Sequence, residues 1–213
     1  MKRLPILIIS LFLAACAGTS SPGWLLESEA ALSAYQAAYL SGNERIAGRE
    51  LALARREVGR TGDAVLMARV ELAACAAQTA SLAGDSCPAF SALAADAGDA
   101  ERSYAAYLDG KRFAPELLPA VQRQAWAGGR TVDLAAIADP LSRLVAAGVL
   151  WRQRRLTDDA FALAIETAAG QGWRRALLAW LAADRERLLT QGDTAAAASR
   201  QRRIERIVAA EGR

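Results

Sequence analysis

The sequence predicts an all-α fold built from antiparallel helical hairpins stacked as a short α-solenoid, and three observations carry that expectation. Alanine makes up roughly a quarter of the chain while β-branched and aromatic residues are sparse, the composition of close-packed helices and not of sheets. Apolar residues recur at helical spacing from near Leu25 almost to the end, with no convincing alternating run. A turn signature also repeats: Ser41-Gly42-Asn43, Thr61-Gly62-Asp63, Ala83-Gly84-Asp85, Ala97-Gly98-Asp99 and Gln191-Gly192-Asp193. Glycine there can end one helix in the left-handed conformation while Asp or Asn caps the next. The first two signatures lie twenty residues apart, room for one helix between them, so consecutive helices should run antiparallel.

The chain opens with MKRLPILIISLFLAAC: Lys2 and Arg3, an apolar stretch from Leu4 to Leu13, then small residues before Cys16. This is the three-part anatomy of a secretion signal, and its apolar run is too short for a permanent membrane helix, which needs about 20 residues. Leu13-Ala14-Ala15-Cys16 resembles the bacterial lipobox. That resemblance implies cleavage after residue 15, acylation of Cys16 and attachment to a membrane through lipid, since two or more acyl chains anchor stably. It also implies an outer-membrane address facing the periplasm, because Ala17 stands where aspartate would retain a lipoprotein on the inner membrane. An incidental cysteine after an ordinary cleavage site is the alternative.

Residues 16–24 then read as lipidated N-terminus and flexible tether, and residues 25–213 as one helical periplasmic domain. Its helices are expected over 28–40, 44–60, 64–83, 88–96, 100–108, 115–127, 135–155 with a potential break at Pro140, 158–169, 173–191 and 194–210. In the helix from Trp173, residues Trp173, Leu177, Trp180, Leu181 and Leu188 share one face and are expected in the core.

A repeat started at Leu141 places Leu144, Gly148, Trp151 and Ala160 where the tetratricopeptide pattern wants large, small, aromatic and alanine residues. A second start at Leu178 places Leu181, Leu188 and Ala197 comparably, 37 residues on against that family's period of about 34. The C-terminal half thus resembles degenerate tetratricopeptide hairpins. The proline-broken middle from Cys87 to Asp139 does not fit the pattern.

Loss of Lys2 and Arg3 lowers the formal charge of +3 by two. The mature chain is nearly neutral, so no nucleic-acid partner is expected from its charge. It has no histidine, which excludes Ser-His-Asp and Cys-His nucleophile systems and removes the commonest zinc ligand. Two cysteines beyond Cys16 are too few for a structural zinc site, and Gly128-Gly129-Arg130-Thr131 lacks the lysine and spacing of a phosphate loop. No metal, cofactor or catalytic residue is therefore expected.

Five arginines, two tryptophans and one aspartate stand out as candidate ligand contacts. Trp151 with Arg152, Arg154 and Arg155, and Trp173 with Arg174 and Arg175, could join in a basic, aromatic-edged patch. Alternatively these arginines form solvated faces and interact with helix ends. Asp184 falls on the apolar face of its helix, where a carboxylate must be paired or face a groove. A structural ion pair with an arginine of a neighbouring helix is favoured over a ligand grip. Arg202, Arg206 and Arg213 line the outer face of the last helix, as suits the end of a solenoid.

Cys75 and Cys87 are expected to form a disulfide, since the periplasm is oxidising and no other thiol remains. In a tight hairpin they would sit about 10 Å apart along the axis, beyond the Cα separation that a disulfide tolerates, so the segment near Gly84 to Pro88 must fold back along the preceding helix. Two buried, unpaired cysteines are the alternative. The leading functional expectation is a membrane-anchored helical-repeat lipoprotein that binds another envelope protein as adaptor or assembly factor. The competing one is a cell-wall glycan-acting enzyme using carboxylates such as Glu27 and Glu29, or Asp158 and Asp159. The latter pair more simply starts a helix, with Thr157 as cap.

Overall fold

The computed structural model describes residues 21–84, 86–126 and 133–210; Cys16, the segment Gly128 to Thr131 and Arg213 lie outside them. Ten α-helices follow in order: α1 (Gly23–Ser41), α2 (Glu44–Gly59), α3 (Ala64–Ala80), α4 (Pro88–Ser91), α5 (Asp99–Leu108), α6 (Ala120–Trp126), α7 (Pro140–Arg152), α8 (Asp158–Gly170), α9 (Arg174–Thr190) and α10 (Thr194–Ala209). A 3-10 turn at Pro115–Leu117 precedes α6. Among the described residues there is no strand.

The turn signature acts largely as its chemistry requires. Gly42 and Gly192 adopt positive φ, and the next residues, Asn43 and Asp193, cap α2 and α10 by accepting from the Ile46 and Ala196 amides. Asp63 accepts from both Val65 and Leu66 at the start of α3. Gly98 departs from the pattern: it is extended, and Asp99 enters the first turn of α5, where it pairs with Arg102.

Several boundaries differ from the sequence expectation for local reasons. Helix α1 starts at Gly23, five residues before Ser28, whose hydroxyl donates back to the Leu25 carbonyl inside the helix. The stretch expected as one helix over 115–127 is split at Pro119, which forces Leu118 into an extended conformation. Pro140 begins α7 instead of breaking it, because a proline in the first turn lacks only an amide that would have no helical partner. Asp139 caps that helix by accepting from the Ser142 amide at 2.7 Å. Thr157 precedes α8 without making a side-chain cap bond.

Successive hairpins pack as α1 with α2, α7 with α8, α8 with α9, and α9 with α10. Helices α3 and α7 lie at the centre, against each other and against α5. Seven consecutive residues of α7, Leu144 to Leu150, are buried, and α3 is buried around most of its circumference; such helices are covered on all sides. Small residues allow the contact: a Cβ added to Gly148 would stand 2.3 Å from the Thr79 carbonyl oxygen. Helix α1 also touches α9, so the array folds back on itself around a main core, with a smaller cluster of Ala31, Ala54, Val58 and Val70 beside it.

Arginines tie helix ends and buried carboxylates into this packing. Glu71 on α3 accepts both arms of Arg55 on α2 at 2.7 Å, and Glu101 on α5 accepts from Arg69 on α3 at 2.8 Å. Trp180, fully buried on α9, donates its indole N–H to the Ala80 carbonyl at the end of α3. The residues after α3 double back along it, and Cys75 and Cys87 are joined by a disulfide with Cα atoms 5.5 Å apart.

Candidate functional site

Two sizeable clefts lie among the described residues. The first, of about 440 Å³, is bounded by α3, α5, the start of α6 and α7. Leu72, Ala73 and Ala76 of α3 form one wall and Leu141 and Val145 of α7 another, with Leu117 and Leu118 at the lip. The volume lies within the range of small-ligand and side-chain pockets.

Polar groups in it fall into two kinds. Glu101 is buried and engaged by Arg69. Gln122 is buried too, accepting from the Tyr107 hydroxyl at 2.6 Å and donating to the Ser142 carbonyl at 3.0 Å. These bonds fix the walls. Gln36 and Tyr104 also line the cleft, and burial, then the charge of Asp139, raises the Tyr104 pKa well above the usual tyrosine range. Tyr104 thus stays a neutral hydroxyl able to donate.

The second cleft, of about 660 Å³, lies where the C-terminal ends of α5, α7 and α9 meet the start of α8. Asp109, Trp151, Arg152, Arg154, Leu156, Phe161 and Arg187 line it. Its inner wall is a ladder of rings. Trp180 stands edge-on to Phe161 at 6.0 Å between centroids, and Phe161 edge-on to Trp151 at 5.6 Å, the geometry aromatic quadrupoles prefer.

The structure divides the sequence's candidate contacts between structural duties and this second cleft. Arg152 donates to the Leu108, Ala83 and Gly84 carbonyls, closing the ends of α5 and α3. Arg175 donates to the Tyr39 carbonyl, pairs with Glu44 and sits 4.3 Å over the Tyr39 ring. It therefore joins α9 to the end of α1. Arg174 lies beside Gly42 at the same junction. Arg155 packs over Trp126 at 5.6 Å and donates to Gln153.

One joint patch does not form. Arg175 and Arg187 stand near opposite ends of α9, about 18 Å apart along it, and Arg187 is the one beside Trp151. Asp184 is buried, with one oxygen taken by Arg187 and the other by Arg200 of α10 at 2.7 Å. Its carboxylate clamps α9 to α10 and reaches neither cleft. Of the acidic pairs, Glu27 and Glu29 are exposed on α1, while Asp158 is held by Arg187 at 2.7 Å; neither pair lines the two clefts.

The first cleft escaped sequence reasoning. Its signal was Arg69 and Glu71, the only charges on a largely apolar α3, which marked that helix as buried but paired to neighbours. The chain matches no family model, no functionally described protein and no solved structure.

Proposed function

We propose that the protein is a lipoprotein, anchored to the outer membrane through Cys16, whose helical scaffold binds another envelope protein as an adaptor or assembly factor. The observation that carries the binding role is the apolar cleft between α3, α5 and α7, with a rigid polar frame and an uncommitted Tyr104 and Gln36. A partner's apolar side chains would fill it, and its backbone would meet those polar groups. Such anchors in pockets supply most of the energy of protein interfaces. The lipobox resemblance supports the anchor. No helix among the described residues is long and apolar enough to cross a membrane, so Cys16 is the attachment this reading requires.

Each cleft offers one lining carboxylate, Glu101 or Asp109, and Glu101 is already paired, which supports binding over glycan cleavage by two acids. Two experiments test the proposal. Cys16→Ser should leave the protein unlipidated and move it out of the detergent phase on partition; unchanged partition rejects the anchor. The full chain incubated with purified peptidoglycan should release no muropeptides, and their release rejects the binding role.

A further inference from the structure

The ends of six helices share one geometry, and one of them breaks its residue preference without a packing reason. Helices α1, α3, α5, α7, α8 and α9 each close with an amide bonded five residues back: Asn43 to Ala38, Ala83 to Gln78, Lys111 to Ala106, Arg155 to Leu150, Trp173 to Ala168 and Asp193 to Leu188. The residue just before that amide takes a positive φ, which favours glycine. Four of the six use it. The exceptions are Leu82 and Arg154, both at φ 55°. Leu82 packs against the main core, so its side chain has a structural use that glycine lacks. Arg154 is exposed, lines the second cleft, and its guanidinium makes no hydrogen bond or ion pair among the described residues.

A strained residue whose side chain supports nothing in the fold points outward to a ligand. The surroundings say which kind. Arg187 in the same cleft is neutralised by Asp184 and Asp158, whereas Arg154 holds an uncommitted set of donors suited to an oxyanion. Beside it the ring ladder rises from buried Trp180 through Phe161 and ends at Trp151, which is 39 % exposed. A planar ring on the ligand would add the next rung.

The geometry points to a second binding site in this cleft, for a small carboxylate carrying a flat apolar ring, with Arg154 holding the carboxylate and Trp151 the ring. This site is separate from the apolar cleft and does not depend on a protein partner.

Calorimetric titration of the purified full chain tests it with three probes: indole-3-acetate, which has both features, indole-3-acetamide, which lacks the charge, and acetate, which lacks the ring. Indole-3-acetate should bind at least tenfold more tightly than either of the others. Arg154→Gly and Trp151→Ala should each weaken it at least tenfold, and Arg154→Gly should at the same time raise the melting temperature by relieving the positive φ. Equal binding of the acetamide, or of acetate, overturns the proposal, as does retained affinity in either variant. A lower melting temperature in Arg154→Gly overturns it too, by showing that the arginine serves the fold.

Discussion

Where α3 crosses α7, the backbones approach through Gly148 and a run of alanines, and apolar packing fills the crossing. Between residues 81 and 139 the chain is held quite differently. That segment carries a disulfide to α3 and a cluster in which Tyr107, Phe113 and Trp126 meet edge-on at 5.0 to 6.0 Å. A buried glutamine, Gln122, links α5 to α7. Long regular helices bury enough surface through repetition to need no such fastening. Short helices do not, and specific cross-links replace repetition. Both clefts use the irregular segment, since α5 and the turn before α6 supply walls that a plain hairpin array would not have.

The largest expected effect is in the regular part. Trp180→Ala removes a fully buried side chain and leaves the Ala80 carbonyl without its donor, and should destabilise the protein by about 3 to 5 kcal/mol in urea unfolding followed by circular dichroism. A change below about 1 kcal/mol would mean that the hairpins do not share one core.

Next comes the cross-link. Replacing Cys75 and Cys87 together by alanine frees a separation of 12 residues and should cost about 2 to 3 kcal/mol. Hydrogen exchange should quicken most between Ser86 and Leu108 and least in α9 and α10. Uniform quickening would erase the distinction between the two regions.

A smaller effect lies at high pH, and it touches both regions. Burial first, and then the neighbouring Tyr39, pushes the Tyr35 hydroxyl up to about 12, and burial likewise raises Tyr107 in the aromatic cluster. An unfolded tyrosine ionises at about 10. The stability contributed by these neutral phenols is therefore fully present below about pH 10 and is lost as pH rises toward and through 12. The melting temperature should fall across that window, and less steeply in Tyr35→Phe. Identical slopes for parent and variant would show that Tyr35 ionises freely in the folded protein.

The same contrast explains what the sequence disclosed. The helices α2, α8, α9 and α10 were legible to within about one residue at each end, because helical spacing and Gly-Asp or Gly-Asn turns are local signals. Of the expected core face, Leu177, Trp180, Leu181 and Leu188 are buried, whereas Trp173 stands just before the first turn of α9 and is only half-buried. Legibility failed where a proline's effect depends on its position: Pro119 splits a segment, whereas Pro140 begins a helix. It failed again for the arginines, since Trp151-Arg152 and Arg174-Arg175 look alike in sequence but close the ends of different helices. The apolar cleft is formed by residues from five stretches of chain and has no local signature.

Photo-crosslinking in living cells tests the binding role most directly. A photoreactive residue at Leu117, half-exposed on the lip of the apolar cleft, is compared with one at Val208, an exposed apolar position on α10. The account predicts a discrete envelope-protein adduct from position 117, lost when Val145→Trp fills the cleft, and none from position 208. Equal adducts from both positions, or an adduct at 117 that survives Val145→Trp in a folded protein, would contradict it.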